Sequence, residues 1–136
     1  MILLARAGEN GLLWHALALT GLGVHPAKHR VYWRAVRVVL LTLALNTGVK
    51  QAVRRARPAL TELPALAPVF SGRSFPSAHS STSFAGARVL SEAMPAGAVY
   101  PLAVAMALSR PYLGVHYPSD IVAGALLGHL TALVTP

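Results

Sequence analysis

The fold of this chain is decided by VYWRAVRVVLLTLALNTGV, residues 31–49, which Lys50 follows directly. The only charged residues in this stretch are Arg34 and Arg37. A helix that spans a bilayer needs about 20 predominantly apolar residues. The stretch therefore predicts a membrane helix that ends next to a cation.

Four other apolar stretches lie around this one, and proline, which cannot continue a helix, lies in or close to each break between them. They run over residues 10–27, 77–94, 96–109 and 119–135. The longest break, residues 57–73, is predicted to be a loop. Together the stretches predict an all-α fold: an integral membrane helical bundle of about five transmembrane helices, forming a single membrane-embedded domain over residues 1–136.

The composition also indicates a lipid environment. Apolar residues make up 54% of the 136 residues and charged residues 12%, whereas a soluble domain has roughly 25% charged residues. A small water-soluble domain needs a polar surface that this chain cannot supply, and the same figures exclude a disordered chain. The sequence has no cysteine, which excludes disulfides, zinc–thiolate sites and a cysteine nucleophile.

The net charge of +8 favours an anionic partner. Nucleic acid is disfavoured because no run of Lys and Arg alternates with aromatic residues. Lipid head groups and phosphate substrates remain as candidate anionic partners. The only acids are Glu9, Glu62, Glu92 and Asp120, so a carboxylate-rich metal site or a carboxylate dyad is hard to build, and neither a metal nor a cofactor is expected.

Polar residues occur at those helix ends that share one membrane face. Lys50 lies at the end of the second stretch, Ser77 and His79 at the start of the third, Arg110 at the end of the fourth and Asp120 at the start of the fifth. In an up-and-down bundle these ends meet. We therefore expect an interfacial anion site with acid–base groups.

The spacing within this set suggests local geometry. Lys50, Arg54 and Arg57 would share one stripe if the helix continued, with Arg55 directed elsewhere. A helix end snorkelling towards anionic head groups is the alternative interpretation. Ser77 is a natural N-cap whose helix would direct free N–H groups at a phosphate. Taken alone, Ser77 is better interpreted as a cap without a phosphate role.

Other signals concern packing and the remaining site residues. His116 and Asp120 are four apart, across the junction that Pro118 predicts between a loop and a helix, and a carboxylate there would orient the imidazole. Trp14, Trp33 and Tyr100 lie in or near predicted helix ends, which favours interfacial anchoring. The GxxxG pair Gly124 and Gly128 favours close packing within the bundle over dimerisation.

Three segments, taken together, resemble the tripartite signature of the type 2 phosphatidic acid phosphatase family, which is related to the vanadium haloperoxidases. They cover residues 50–120 and read Lys50-x6-Arg57-Pro58, Pro76-Ser77-Ala78-His79 and Ser109-Arg110-x5-His116-x3-Asp120. Two departures stand out. Ala78 takes the place of the usual glycine, and two predicted helices precede the first motif instead of three. The second departure leaves open a narrower bundle or one completed by a second copy, a homo-oligomer.

The resemblance implies a role for each matching residue. Lys50, Arg57 and Arg110 would bind the phosphate oxygens, aided by Ser77 and the backbone N–H of Ala78.

The resemblance also implies the catalytic residues. His116 would attack phosphorus and become a phosphohistidine, Asp120 would orient it, and His79 would protonate the leaving oxygen and then activate water. Three fixed cations would replace the metal ions of other phosphatases.

These features lead to a predicted function: a metal-independent lipid phosphate phosphatase in the bacterial inner membrane, acting on a polyprenyl-type phosphate or diphosphate of cell-envelope synthesis. The Ala- and Arg-rich, Lys-poor composition suggests a GC-rich bacterium, where a polyprenyl-phosphoryl-ribose phosphate is one possible substrate. Phosphatidic acid or phosphatidylglycerol phosphate is the alternative substrate. A non-catalytic membrane protein that binds anionic lipid is the alternative from another class.

Overall fold

The computed structural model describes residues 6–58 and 72–136, and this part of the chain is helical. Two short 3-10 turns, Glu9–Gly11 and Pro26–Lys28, precede the first two helices. The five α-helices are α1 (Leu12–Val24), α2 (His29–Val53), α3 (Ala78–Leu90), α4 (Ala96–Tyr112) and α5 (Pro118–Val134). The predicted all-α fold is therefore confirmed for the described residues. Most of the predicted loop 57–73 lies outside them.

The helices differ in their capacity to cross a membrane. In the described part of the chain, one helical segment, Pro26–Val53, is both long and apolar enough to span a bilayer, and Pro118–Val134 is a shorter apolar helix. Helices α1 and α3 have 13 residues each, which gives a length of ~20 Å at 1.5 Å per residue. Length and hydropathy thus support one span directly.

Helix α3 lies at the centre of the bundle and packs against α2, α4 and α5. Ten of its 13 residues are buried, and most have small side chains, which lets the surrounding helices approach closely. Trp14 from α1 lies against Gly86, where an added Cβ would collide with the indole. Its Nε1 donates to Ser83 Oγ at 3.0 Å. The prediction that Trp14 anchors at the interface was wrong, because the fully buried indole fills the core.

Helix α5 packs on α3 through glycines. A Cβ on Gly128 would collide with the carbonyl oxygen of Ser81, and one on Gly124 would press on the carbonyl oxygen of Ser77. Ser80 Oγ also donates to Ile121 O at 2.7 Å. The GxxxG pair therefore serves packing within the bundle, as predicted.

The end of the bundle opposite the predicted site is held by Arg34 of α2. Its guanidinium donates to the carbonyl oxygens of Ala132 and Thr135 at 2.8 and 2.9 Å, and it forms an ion pair with Glu92 at 2.9 Å. A cation at a helix C-terminus satisfies carbonyls that have no partner within the helix. Arg34 thus fixes the last turn of α5 against α2.

Candidate active site

The predicted polar residues meet at one end of the bundle. Lys50 lies in the last turn of α2 and Arg110 in the last turn of α4. Asp120 lies in the first turn of α5. Ser77 caps α3, and its N–H donates to Asp120 O at 3.0 Å. The convergence expected from the alternating direction of the helices is therefore confirmed.

His116 lies in the loop between α4 and α5, and its contacts define its tautomer. Arg57 Nη1 lies 3.2 Å from His116 Nε2. Because a guanidinium can only donate, Nε2 must present its lone pair, and the ring proton is on Nδ1. Nδ1 faces Asp120 Oδ2 at 3.4 Å, a distance too long for a strong hydrogen bond. The imidazole is held as a neutral ring with a directed lone pair.

The surroundings of His116 strongly favour this neutral form. Burial, followed by the charges of Arg57, Lys50 and Arg110 and by His79, lowers the pKa of His116 from its usual value to about 2. A pKa this far below its usual range leaves the imidazole unprotonated at physiological pH. The same effect shows that three cations lie near one ring.

Asp120 is fully buried and held from several directions. The backbone N–H of Tyr117 donates to its Oδ2 at 2.9 Å. Arg55 Nη1 donates to its Oδ1 at 3.0 Å and to Ser119 Oγ at 2.8 Å. The Arg55 guanidinium also lies over the Tyr117 ring, 4.1 Å from its centroid. The carboxylate of Asp120 is therefore held by one charged donor and one backbone N–H.

The predicted stripe of Lys50, Arg54 and Arg57 on one helix was wrong. Helix α2 ends at Val53, and Arg54 takes a left-handed conformation with φ 55°. Arg54 Nε then donates to Gln51 O at 3.0 Å. Arg57 reaches the site from the following loop, where its Nη1 also donates to Val115 O at 2.6 Å.

Arg55 was predicted to point away from the site, and this was also wrong: it binds Asp120. Because of the left-handed turn at Arg54, the side chains of Arg55 and Arg57 do not point in the directions that a continuous helix would give them. Since no residue type marks this turn in advance, the sequence carried no signal for Arg55.

The start of α3 matches its prediction. Ser77 is the N-cap, and its side chain accepts from the Ser80 N–H at 3.4 Å. Ala78 is the first residue of the helix. Among the non-glycine residues described, only Asn10 and Arg54 have positive φ, so alanine fits here without strain. The helix directs its positive dipole end at the site.

His79 and Arg110 complete the site from α3 and α4. Both are largely buried. A Cβ on Gly8 would collide with the His79 ring, so the turn before α1 covers that side of the imidazole. No sequence motif indicated this contact. Arg110 Nε is buried and has no hydrogen-bond partner in the part of the chain described, so it can bind an anionic oxygen.

The described residues contain no group of three or more His, Cys, Asp or Glu side chains that could hold a metal ion. Instead, a neutral imidazole whose Nε2 lone pair faces Arg57 lies near the cations Lys50, Arg57 and Arg110. This arrangement suits a nucleophile that attacks an anionic centre whose negative charge is neutralised by side chains.

Comparisons with known proteins agree with this chemistry. The model of the PAP2 superfamily matches residues 31–136. The chain is 38% identical over 121 residues to a decaprenylphosphoryl-5-phosphoribose phosphatase of Mycolicibacterium smegmatis, covering 89% of this chain and 67% of that one. It is 36% identical over 125 residues to the protein of the same name in Mycobacterium tuberculosis, covering 92% and 71%.

A solved structure shares the fold. It is a transmembrane PAP2-type phosphatidylglycerolphosphate phosphatase from Bacillus subtilis, with a TM-score of 0.63 and 22% sequence identity. The match covers 96% of this chain and 75% of that chain.

Proposed function

The chain belongs to the PAP2 superfamily and is a phosphatase, and we propose that it removes phosphate from a polyprenyl-type membrane lipid through a phosphohistidine. The observation that carries this proposal is the orientation of His116. Its Nε2 lone pair faces Arg57 at 3.2 Å, and its Nδ1 faces the buried Asp120 carboxylate. A nucleophile needs a directed lone pair, which Nε2 supplies. The imidazole becomes cationic on phosphorylation, and the Asp120 carboxylate next to Nδ1 stabilises that charge.

The first chemical step forms the phosphoenzyme. His116 Nε2 attacks phosphorus, an N–P bond forms, and the bond from phosphorus to the lipid oxygen breaks. His79 gives its proton to that leaving oxygen. Asp120 stabilises the imidazolium character of the phosphorylated ring.

The second step releases the product. His79, now neutral, takes a proton from water, and the resulting oxygen attacks phosphorus. The N–P bond breaks, inorganic phosphate leaves, and His116 regains its lone pair. The same imidazole therefore serves as acid and then as base.

The cations act on the phosphate oxygens in both steps. Lys50, Arg57 and Arg110 bind the three non-bridging oxygens, with further donors from Ser77 and the Ala78 N–H. In the unliganded site Arg57 donates to Nε2 itself. As phosphorus takes its place at Nε2, this donor transfers to a phosphate oxygen, so the bond that orients the nucleophile becomes a bond to substrate.

The lipid-linked substrate class is supported by the relatives, which are named as phosphatases of decaprenylphosphoryl-5-phosphoribose. A substrate of this type combines a terminal phosphate with a chain that stays in the bilayer. We propose that all five helices lie in the bacterial inner membrane as one domain, with α2 as the full span. Short helices such as α1 and α3 are accommodated by local thinning of the bilayer.

The proposal is tested by phosphate release from purified protein in detergent. The panel contains a polyprenylphosphoryl-5-phosphoribose, a polyprenyl phosphate, phosphatidic acid and phosphatidylglycerol phosphate, each with EDTA present. We expect the polyprenyl substrates to be hydrolysed fastest, with His116→Ala inactive on all four. Turnover that requires added Mg²⁺ would contradict the metal-independent mechanism, and preference for phosphatidic acid would contradict the substrate class.

A further inference from the structure

An apolar groove of about 260 Å³ lies between α4 and α5. It is lined only by apolar residues, among them Phe84, Val104, Ala107, Ile121, Ala125 and Leu126. We call it the α4–α5 groove.

The groove exists because α4 and α5 pack mainly on α3 and touch each other little. Alanine at positions 107 and 125 leaves the space between the two helices unfilled. Ala107 and Ile121 are 3% and 8% exposed and form the floor, while Val104 and Leu126 are exposed at the rim. The groove is thus closed towards α3 and open towards the surroundings of the bundle.

The position of the groove relates it to the phosphate site. Ala107 lies one helical turn before Arg110 on α4, and Ile121 directly follows Asp120 on α5. From those two site residues the lining extends about six residues along each helix, or ~9 Å. The groove therefore begins beside the cationic site and runs towards the middle of the bundle.

We propose that the α4–α5 groove binds the hydrocarbon chain of the lipid phosphate substrate; this rests on the proposed function. A substrate whose phosphate lies among Lys50, Arg57 and Arg110 must direct its chain into the bilayer, and the groove provides an apolar path that starts at this site. The volume suits only part of a chain, and the rest lies among the membrane lipids. The other cavity, lined by Arg30, Arg34, Arg37 and Glu92 among others, lies at the opposite end of the bundle, away from the phosphate site.

Contacts between the lipid chain and the groove should affect turnover only of substrates that carry a chain. Chain contacts in the groove contribute to binding through close packing, because the chain leaves lipid or detergent and not water. They do not exist for a phosphate ester without a chain. Filling the groove should therefore reduce turnover of chain-bearing substrates selectively.

The test uses two alanines of α5 that flank Gly124. Both are half-buried, but Ala125 lines the groove and Ala123 does not. Ala125→Phe and the control Ala123→Phe are assayed on farnesyl phosphate and on p-nitrophenyl phosphate in the same detergent. We expect Ala125→Phe to lower kcat/KM for farnesyl phosphate by about tenfold or more, because the phenyl ring occupies the space in which the chain would pack. The aryl phosphate should be little affected. In Ala123→Phe the ratio of kcat/KM for the two substrates should stay within about twofold of the wild-type ratio, because any loss of stability there lowers both turnovers alike.

Turnover of p-nitrophenyl phosphate reports whether the variant has folded, and the smaller change Ala125→Val provides a second measurement. An unchanged ratio between the two substrates in both variants would overturn the groove proposal alone. An equal loss on both substrates in Ala125→Val would also overturn it. Wild-type protein that hydrolyses neither substrate would instead overturn the proposed function.

Discussion

Arg55 Nη1 donates to Asp120 Oδ1 at 3.0 Å, an ion pair between the loop after α2 and the first turn of α5. Asp120 is fully buried, whereas the Arg55 side chain is 38% exposed. The second carboxylate oxygen receives the Tyr117 N–H and faces His116. Arg55 therefore holds one oxygen of the carboxylate while the other is left for the imidazole.

Replacing Arg55 should slow catalysis without weakening phosphate binding. Arg55→Ala removes a charge-assisted hydrogen bond, of the kind worth about 1.5–3 kcal/mol, from a carboxylate that must support a cationic phosphohistidine. We expect kcat to fall by about tenfold to a hundredfold with little change in KM. Arg55→Lys should recover part of the rate. Steady-state kinetics in detergent measure both parameters.

The control for this prediction is the neighbouring Arg54, which bonds to Gln51 O and not to the site. Arg54→Ala should leave both parameters within about twofold of the wild-type protein, as is usual for surface changes. A rise in KM with unchanged kcat for Arg55→Ala would show that Arg55 binds phosphate instead of positioning Asp120.

Much of this architecture was accessible from the sequence because helix ends carry recognisable residues. The prolines marked the breaks, Ser77 marked the start of α3, and the alternating direction of the helices placed Lys50, Arg110 and Asp120 together. Arg55 was missed because its direction depends on the left-handed turn at Arg54. That turn is stabilised by tertiary contacts, including the Ser74 N–H bond to Arg55 O at 2.8 Å, which no local pattern reveals.

The contact between α3 and α5 at Gly124 and Gly128 should not tolerate an added methyl group. Gly128→Ala places a methyl group against the Ser81 carbonyl, which is backbone and cannot move aside. We expect a loss of about 1–3 kcal/mol in the free energy of unfolding. Gly48→Ala is the matched control, because nothing lies within 4 Å of an added Cβ on this exposed position of α2.

The control should not lose stability, since replacing a helical glycine by alanine favours the helix by about 0.5–1 kcal/mol. Thermal unfolding in detergent compares the two variants. If Gly128→Ala proved as stable as Gly48→Ala, the tight α3–α5 packing would be refuted.

His116 should remain neutral through the physiological range. Its pKa in the folded protein is lowered to about 2, first by burial and then by Arg57, Lys50 and Arg110, while an unfolded chain has the ordinary value near 6.5. Below pH ~6.5 the unfolded state binds a proton that the folded state does not, so this group lowers stability as the pH falls. Above that pH it contributes no pH dependence.

The ring ¹⁵N chemical shifts of histidine-labelled protein measure this directly, with the His116→Ala spectrum identifying the signal. We expect the His116 signal to show the neutral Nδ1–H tautomer and no titration between pH 8 and 5. A midpoint near pH 6.5 would mean that the cations do not surround this ring as described. In Arg57→Gln the pKa of His116 should rise, because a lowering charge is removed.

The most discriminating prediction separates the two histidines by the leaving group. A lipid alkoxide departs poorly without a proton from His79, whereas a nitrophenolate is a stable anion and hardly needs one. His79→Ala should therefore still form the phosphoenzyme from p-nitrophenyl phosphate. The intermediate should accumulate, because no base remains to activate water. His116→Ala should form no phosphoenzyme from either substrate, since the nucleophile is absent.

In Asp120→Asn, phosphoenzyme formation should be slowed but not abolished. The imidazole remains, but its tautomer and developing charge lose their support, so we expect a loss of about 2–4 kcal/mol in transition-state stabilisation. Rapid quench with ³²P-labelled aryl phosphate measures all three variants, and a phosphohistidine is recognised by label that is acid-labile and base-stable. Label on His116→Ala but not on His79→Ala would reverse the assignment of nucleophile and acid, because the phosphate would then be carried by the imidazole of α3.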